Sequence, residues 1–411
     1  MNPLRLVAFF LLLAQTARPY SVLSHEAIID ALWDVQLRSA LLAQYPHVTP
    51  EELKTAHGYA YGGAIIQDLG YYPHGSAQFS DLTHYVRTGD FILALLHESH
   101  SLNELAFSLG ALSHYVGDLD GHRYATNVSE PILYPRLRRK FGSVVTYEEN
   151  PVYHLKTEYS FDVLEVAKGN FAPQAYHDFI GFYVAKDLVA RAFRDTYGLE
   201  LSDVFGNFDT AIDSYRSVVS RIIPIATRIA WAQKKAEIRQ TQPSATRRRF
   251  VYILTRSSYE KEWGKRLEEP SPIEKVLAFL LRLIPPIGPL ADLRFKMPTP
   301  KVEDLFMQSF NRASLQYAEK LKSEQANTLA LPDENYDVGA FSAPGDYALA
   351  DDSQAFLLNK LAEKHFTTVT LALKAEILTF YRDLNAPIHT KRKPKEWKKV
   401  LSEVAALKSL P

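Results

Sequence analysis

Apolar residues recur at spacings of three and four through AIIDALWDVQLRSALLAQY, DFILALLHESHSLNELAFSLGALSHYVGD and YHLKTEYSFDVLEVAKG. That period predicts amphipathic helices over most of residues 24–201, and no alternating β pattern of any length competes with it. A further long helix is predicted from about Asp209 to Ile238. The stretch QTQPSATRRRF then reads as a polar linker. PIEKVLAFLLRLIPPIGPLADLRFKMP predicts an apolar helix stopped by Pro285 and Pro286, with Pro289 and Pro298 keeping the following segment extended or turned. Turn residues dominate from Leu331 to Asp351, after which SQAFLLNKLAEKHFTTVTLALKAEILTFYRDL resumes helix. There is no internal repeat and no low-complexity tract. The expected fold class is all-α, with a helical core over 20–238, a linker and apolar insertion over 239–300, and a helical C-terminal part over 301–411 packing on the core.

The first residues break this pattern. In MNPLRLVAFFLLLAQTARPYS, Arg5 precedes an apolar run from Leu6 to Ala14, followed by small or polar residues, which is the layout of a secretory signal. The run is too short to span a bilayer comfortably. Residues 1–19 are therefore expected to be a signal peptide with processing near Ala17, and the protein to be secreted or periplasmic.

Lys plus Arg number 47 and Asp plus Glu number 47, so no global field draws the chain to nucleic acid or to an anionic membrane. With no cysteine, a disulfide framework, a thiolate metal site and a thiol nucleophile are all excluded. A metal here would need His, Asp and Glu. Ten of the thirteen histidines fall between His25 and His154, under a third of the chain, so the chemistry is expected in that window.

Within it, SHYVGDLDGH sets His114, Asp118 and His122 at i, i+4 and i+8. Steps of four place side chains in one narrow stripe, provided the helix continues through Gly121. His154 and Glu158 repeat the i, i+4 spacing. Imidazole and carboxylate one turn apart form a metal clamp, and the lack of thiolate points to catalytic rather than structural zinc. Any single pair also reads as a surface ion pair or a satisfied core histidine; two pairs within a histidine-rich window favour the metal. His97 and His100, flanking Glu98, are expected on a polar face. Either His57 or His74 could line a cleft, and Asp120 reads either as a carboxylate orienting an imidazole or as a solvated turn residue.

These pieces resemble the zinc-dependent phospholipase C and single-strand nuclease superfamily. The matching elements occur in its order: Tyr20 five places before His25, Asp68 in GGAIIQDLGYYP, His84 in SDLTHY, HYVGD with His114 and Asp118, then His122, and the HxxxE element with His154 and Glu158. The resemblance covers roughly residues 20–200; NYDVGAFSAPGDYALADDSQAFLLNKL resembles closing segments of bacterial members less specifically. It implies an all-helical fold with a cluster of two or three zinc ions at the base of a cleft, here with a helical C-terminal extension. Carried over, Asp68, His84, His114 and Asp118 would hold one zinc, and His122, His154 and Glu158 a second. Asp118 would bridge to a third, shared with His25 and the mature N-terminal residue, Tyr20, where many members have tryptophan.

The resemblance implies a zinc-dependent phosphodiester hydrolase, with Asp68 both touching zinc and orienting or deprotonating the attacking water. A phospholipase C reading, with phospholipid as substrate, is favoured by the balanced charge. It is also favoured by Phe279, Leu280, Leu283 and Ile284, which could dip into a membrane interface if exposed and otherwise are simply buried. A nuclease reading, with nucleic acid as the alternative substrate, needs aromatic platforms and a basic track. Tyr59, Tyr61, Tyr71, Tyr72 and Tyr85, with Arg247 to Arg249 and the Lys391–Lys399 run, are the candidates for these. A third reading is a non-catalytic, zinc-stabilised surface-binding protein. No protein partner is indicated.

Overall fold

The structure, a computed structural model, describes residues 22–168, 182–217 and 295–410, with a few positions between 231 and 246. The expected signal segment, Tyr20, most of the 218–250 region and the apolar stretch around 275–290 lie outside the described residues.

Among the described residues the fold is all-α, and the nearest thing to a sheet is a single bridge between Asn335 and Ala340. Helix α1 (Val22–Leu32) runs through a π turn (Trp33–Leu37) into α2 (Arg38–Gln44). Then come α3 (Pro50–Gly63), a 3-10 turn (Ile66–Tyr71), α4 (Ala77–Tyr85), α5 (Thr88–His97) and α6 (Leu102–Gly121). A second π turn (His122–Thr126) joins α6 to α7 (Asn127–Leu133), followed by α8 (Pro135–Phe141), α9 (Pro151–Lys168), α10 (Lys186–Tyr197) and α11 (Phe208–Ser217). The C-terminal part contributes α12 (Pro300–Gln325), α13 (Ala348–Glu363), α14 (Leu371–Phe380) and α15 (Pro394–Ser409). No helix of the described residues is long and apolar enough to cross a membrane.

Two of the predicted helical stretches are interrupted, in both cases ahead of a capping residue. The chain leaves α5 at His97 and restarts at Leu102, where the Ser101 side chain accepts from Glu104 N at 3.3 Å while Glu104 accepts from His100 N at 2.9 Å. Similarly, His365 and Phe366 take left-handed φ of 53° and 57° between α13 and α14, and Thr370 caps the new start.

Helix α6 is the axis of the molecule, buried along nearly its whole length, with α3 on one side and α12 on another. The α3–α6 crossing is backbone on backbone. A Cβ at Gly63 would stand 1.8 Å from Phe107 O, and one at Gly110 would stand 2.0 Å from Ala60 O, so only glycine allows the approach. Helix α12 closes the other flank: Tyr317 donates to Leu109 O at 2.8 Å and Phe306 stacks on Phe161 of α9 at 4.6 Å. The C-terminal part is thereby a wall of the same core.

Candidate metal centre

Three short-range devices aim the side chains inward. The 3-10 turn that carries Asp68 is pinned to α4 by Ser80, whose hydroxyl donates to Gln67 O and accepts from Gly70 N at 2.9 Å. Gln67 Nε2 ties the same turn to α6 by donating to Ala111 O at 3.0 Å. His84 and His114 each donate Nδ1–H to a backbone carbonyl, Ser80 O at 2.7 Å and Ala64 O at 2.8 Å. A carbonyl only accepts, so both rings present Nε2 as the free lone pair in the neutral tautomer.

Those lone pairs converge. Asp68, His84, His114 and Asp118 are all buried and offer ligand atoms within 4.8 Å of one another. His84 Nε2 lies 3.2 Å from Asp68 Oδ1 and 3.4 Å from Asp118 Oδ2, and His114 Nε2 lies 3.0 Å from Asp118 Oδ2. His122, His154 and Glu158 form a second buried group, with Glu158 Oε1 at 3.1 Å from His122 Nε2 and 3.0 Å from His154 Nε2. Asp118 joins the two, since its other oxygen, Oδ1, faces His122 Nε2 at 3.7 Å and His25 Nε2 at 3.3 Å. His25 lies flat on the His114 ring at 4.2 Å, in space that Gly117 keeps open: a Cβ there would sit 3.3 Å from His25 Nδ1.

The expected stripe on α6 is present, because the helix continues through Gly121 to His122. The π turn that follows adds a ligand-orienting residue the sequence did not reveal. In an α-helix, eight residues overshoot two turns by about 80°; the wider turn after His122 takes up that excess and brings Glu130 round to the centre. Glu130 Oε1 stands 3.1 Å from His154 Nδ1. Asp337, far along the chain, faces His122 Nδ1 at 3.9 Å. A turn-rich segment and a helix-period shift leave no local signal for either residue.

The donor set fits a divalent cation. Asp68, Asp118, Glu158, Glu130 and Asp337 are all buried, and none of them meets a Lys or Arg among the described residues. The inward atoms Asp68 Oδ1, His84 Nε2, His114 Nε2, both Asp118 oxygens, His154 Nε2 and both Glu158 oxygens make no hydrogen bond of normal geometry. Buried carboxylates facing imidazole lone pairs call for cations. The titration behaviour says the same. Burial opposes a charge on His84, yet the adjacent Asp118 and Asp68 carboxylates outweigh it and raise its pKa to about 10. Burial pushes Glu158 up to about 8 against the pull of His122, whereas Asp118 is held well below the usual carboxylate range because His114 and His122 overcome its burial.

The remaining sequence candidates fall elsewhere. His57 stacks on Trp33 at 3.8 Å and faces Asp30 at 3.2 Å, apart from both metal groups. His74 is exposed, and His97 and His100 are exposed beside Glu98, as expected. Asp120 turns away from the centre to meet Arg312 Nε of α12 at 3.1 Å, so it orients no imidazole. A third acidic group, Asp90, Asp333 and Glu376, was not anticipated; Arg87 stands in it, 2.5 Å from both Asp90 and Glu376, and supplies its positive charge.

Residues 24–207 match the sequence model of a family described as zinc dependent phospholipase C. Every described residue of the two metal groups lies inside the matched range. No curated protein and no solved structure matches the chain.

Proposed function

We propose that the protein is an exported, zinc-dependent phosphodiester hydrolase that acts on phospholipid head groups as a phospholipase C. The observation that carries this reading is Asp118, one buried carboxylate whose two oxygens serve two adjacent groups of ligand atoms. In this reading Asp68, His84, His114 and Asp118 hold one ion and His122, His154 and Glu158 a second. His25 extends the set through Asp118, with Tyr20 as its further partner. Bound zinc supplies Lewis acidity toward phosphoryl oxygens and acidifies an attacking water.

The chain's own contribution is positioning and proton handling. Backbone carbonyls of Ser80 and Ala64 hold His84 and His114 in one tautomer, so that the ligand field does not reorganise during turnover. Asp68 sits on a turn clamped by Ser80 and Gln67, which keeps its carboxylate in place to accept the proton of the attacking water.

Lipid is preferred over nucleic acid because three of the five tyrosines available as base platforms, Tyr61, Tyr72 and Tyr85, are buried in the core, and Tyr59 is taken up by stacking with Tyr183. A side-by-side assay of lipid vesicles and single-stranded DNA, each with and without chelator, tests the reading. Diacylglycerol release that stops on chelation is expected. Cleavage of DNA alone would make the protein a nuclease, and inactivity on both would leave a zinc-stabilised binding protein.

A further inference from the structure

Residues 331–347 lie outside the family-matched range, yet they run across the back of the metal centre. Tyr336 N donates to His84 O at 3.0 Å, and the fully buried Tyr336 ring packs 5.1 Å from His84 and 6.0 Å from His114. The strap is tied down along its length. Tyr115 donates to Pro332 O at 2.8 Å, Thr88 to Glu334 O at 2.8 Å and Arg123 to Gly339 O at 2.7 Å.

Its central residue is Asp337, only 1% exposed. The carboxylate is fixed by donors from three separate places. Asn127 Nδ2 reaches Oδ1 at 3.1 Å, while Tyr147 N at 2.9 Å and Tyr347 OH at 2.7 Å both reach Oδ2. Asn127 also donates to Asp337 O at 2.7 Å, and Asp337 N donates to Asn335 Oδ1 at 2.9 Å. What this carboxylate faces is His122 Nδ1, 3.9 Å from Oδ1. That distance is too long for a hydrogen bond and short enough for a strong electrostatic contact in a buried setting. A negative charge fixed there favours the tautomer with the proton on Nδ1 and leaves the Nε2 lone pair for an ion.

We propose that Asp337 is a positioning residue for the second ion, delivered by the C-terminal strap, so that docking of the strap and metal binding at His122, His154 and Glu158 are coupled. The inference rests on the two-ion reading above. It predicts that the family-matched segment is completed as a metal site by residues more than a hundred positions beyond it. Because Tyr336 backs His84 and His114 on the same strap, the first group is packed by it but receives no carboxylate from it.

The test uses the full chain, stripped of metal and titrated with zinc alone against a chromophoric chelator. The wild type is expected to hold at least two ions. Asp337→Asn is expected to weaken one of them about 10- to 100-fold, the usual effect of removing an orienting partner, and to leave the other within about twofold. Tyr347→Phe, which removes one of the two donors to Oδ2 of the carboxylate, is expected to weaken the same ion by less. A merely structural role would lower the affinity of both ions by the same factor, and that result, or wild-type affinity at both, overturns the proposal. Fewer than one ion per wild-type chain would instead remove the two-ion reading on which it stands. Should Asp337→Asn not fold, hydrogen exchange on the wild type decides the matter. Amides of 333–340 are expected to slow at least about tenfold on adding zinc, since strap opening is a local unfolding event that the ligand opposes. Exchange there that is indifferent to zinc rules the coupling out.

Discussion

Glu130 and His154 form a carboxylate–imidazole pair at 3.1 Å on the side of the ring away from Glu158, so His154 is held between two buried acids. Burial pushes Glu130 up to about 8, with His154 pulling it back down. A cation at Nε2 strengthens that pull, because an imidazole that has given up its Nε2 lone pair is a better Nδ1–H donor. Glu130→Gln is therefore expected to weaken zinc at the His122, His154 and Glu158 group by about 10- to 100-fold while leaving the fold intact. Chelator competition with circular dichroism on the same samples checks both halves of the statement.

Replacement of His114 or of His154 by Ala should remove zinc from different groups, since among the described residues the two rings belong to separate sets that Asp118 joins. Metal analysis after dialysis is expected to show partial and different losses. Complete loss of metal in both variants would mean that the seven residues act as one site.

Asp68→Asn is expected to harm turnover more than zinc content. His84, His114 and Asp118 remain around the first ion, and the turn is still clamped by Ser80 and Gln67. An amide does not take up a proton from the attacking water, and loss of a general base costs about 10²- to 10⁴-fold in rate. Zinc lost in proportion to activity would make Asp68 a ligand first and leave the base role without an owner.

The acidic group around Arg87 gives a pH dependence independent of metal. Burial raises Glu376 to about 7, although Arg87 opposes it. The folded state then keeps a proton that the unfolded chain has already lost, so stability is highest below the unfolded value near 4.5 and falls as pH rises toward 7. In Glu376→Gln that contribution is absent. The difference in Tm between the variant and the wild type, at constant zinc, is expected to shift in the variant's favour between pH 4.5 and 7 and to be level above it. A difference that does not change with pH would place the ionisation elsewhere.

The periodic spacing of apolar residues was enough to establish an all-α chain, because a helix buries one stripe whatever it packs against. The i, i+4 spacing made His114, Asp118, His122, His154 and Glu158 legible for a similar reason: ligands on one helix are neighbours by local geometry. His25, Asp68 and His84 came from the family resemblance and from no local rule, and the fold brings all three to Asp118 or its partners. The helix starts at Ser101 and Thr370 escaped the reading because capping depends on a single side chain rather than on the spacing of apolar residues. What only the tertiary structure decided is the shell behind the ligands. Glu130 reaches His154 through a π turn that shifts the helical register, and Asp337 meets His122 across more than two hundred residues of chain. Both contacts are made when α9 packs on α7 and the π turn, and the C-terminal strap comes against that turn. Packing of separate elements leaves no trace in the order of residues along any one of them.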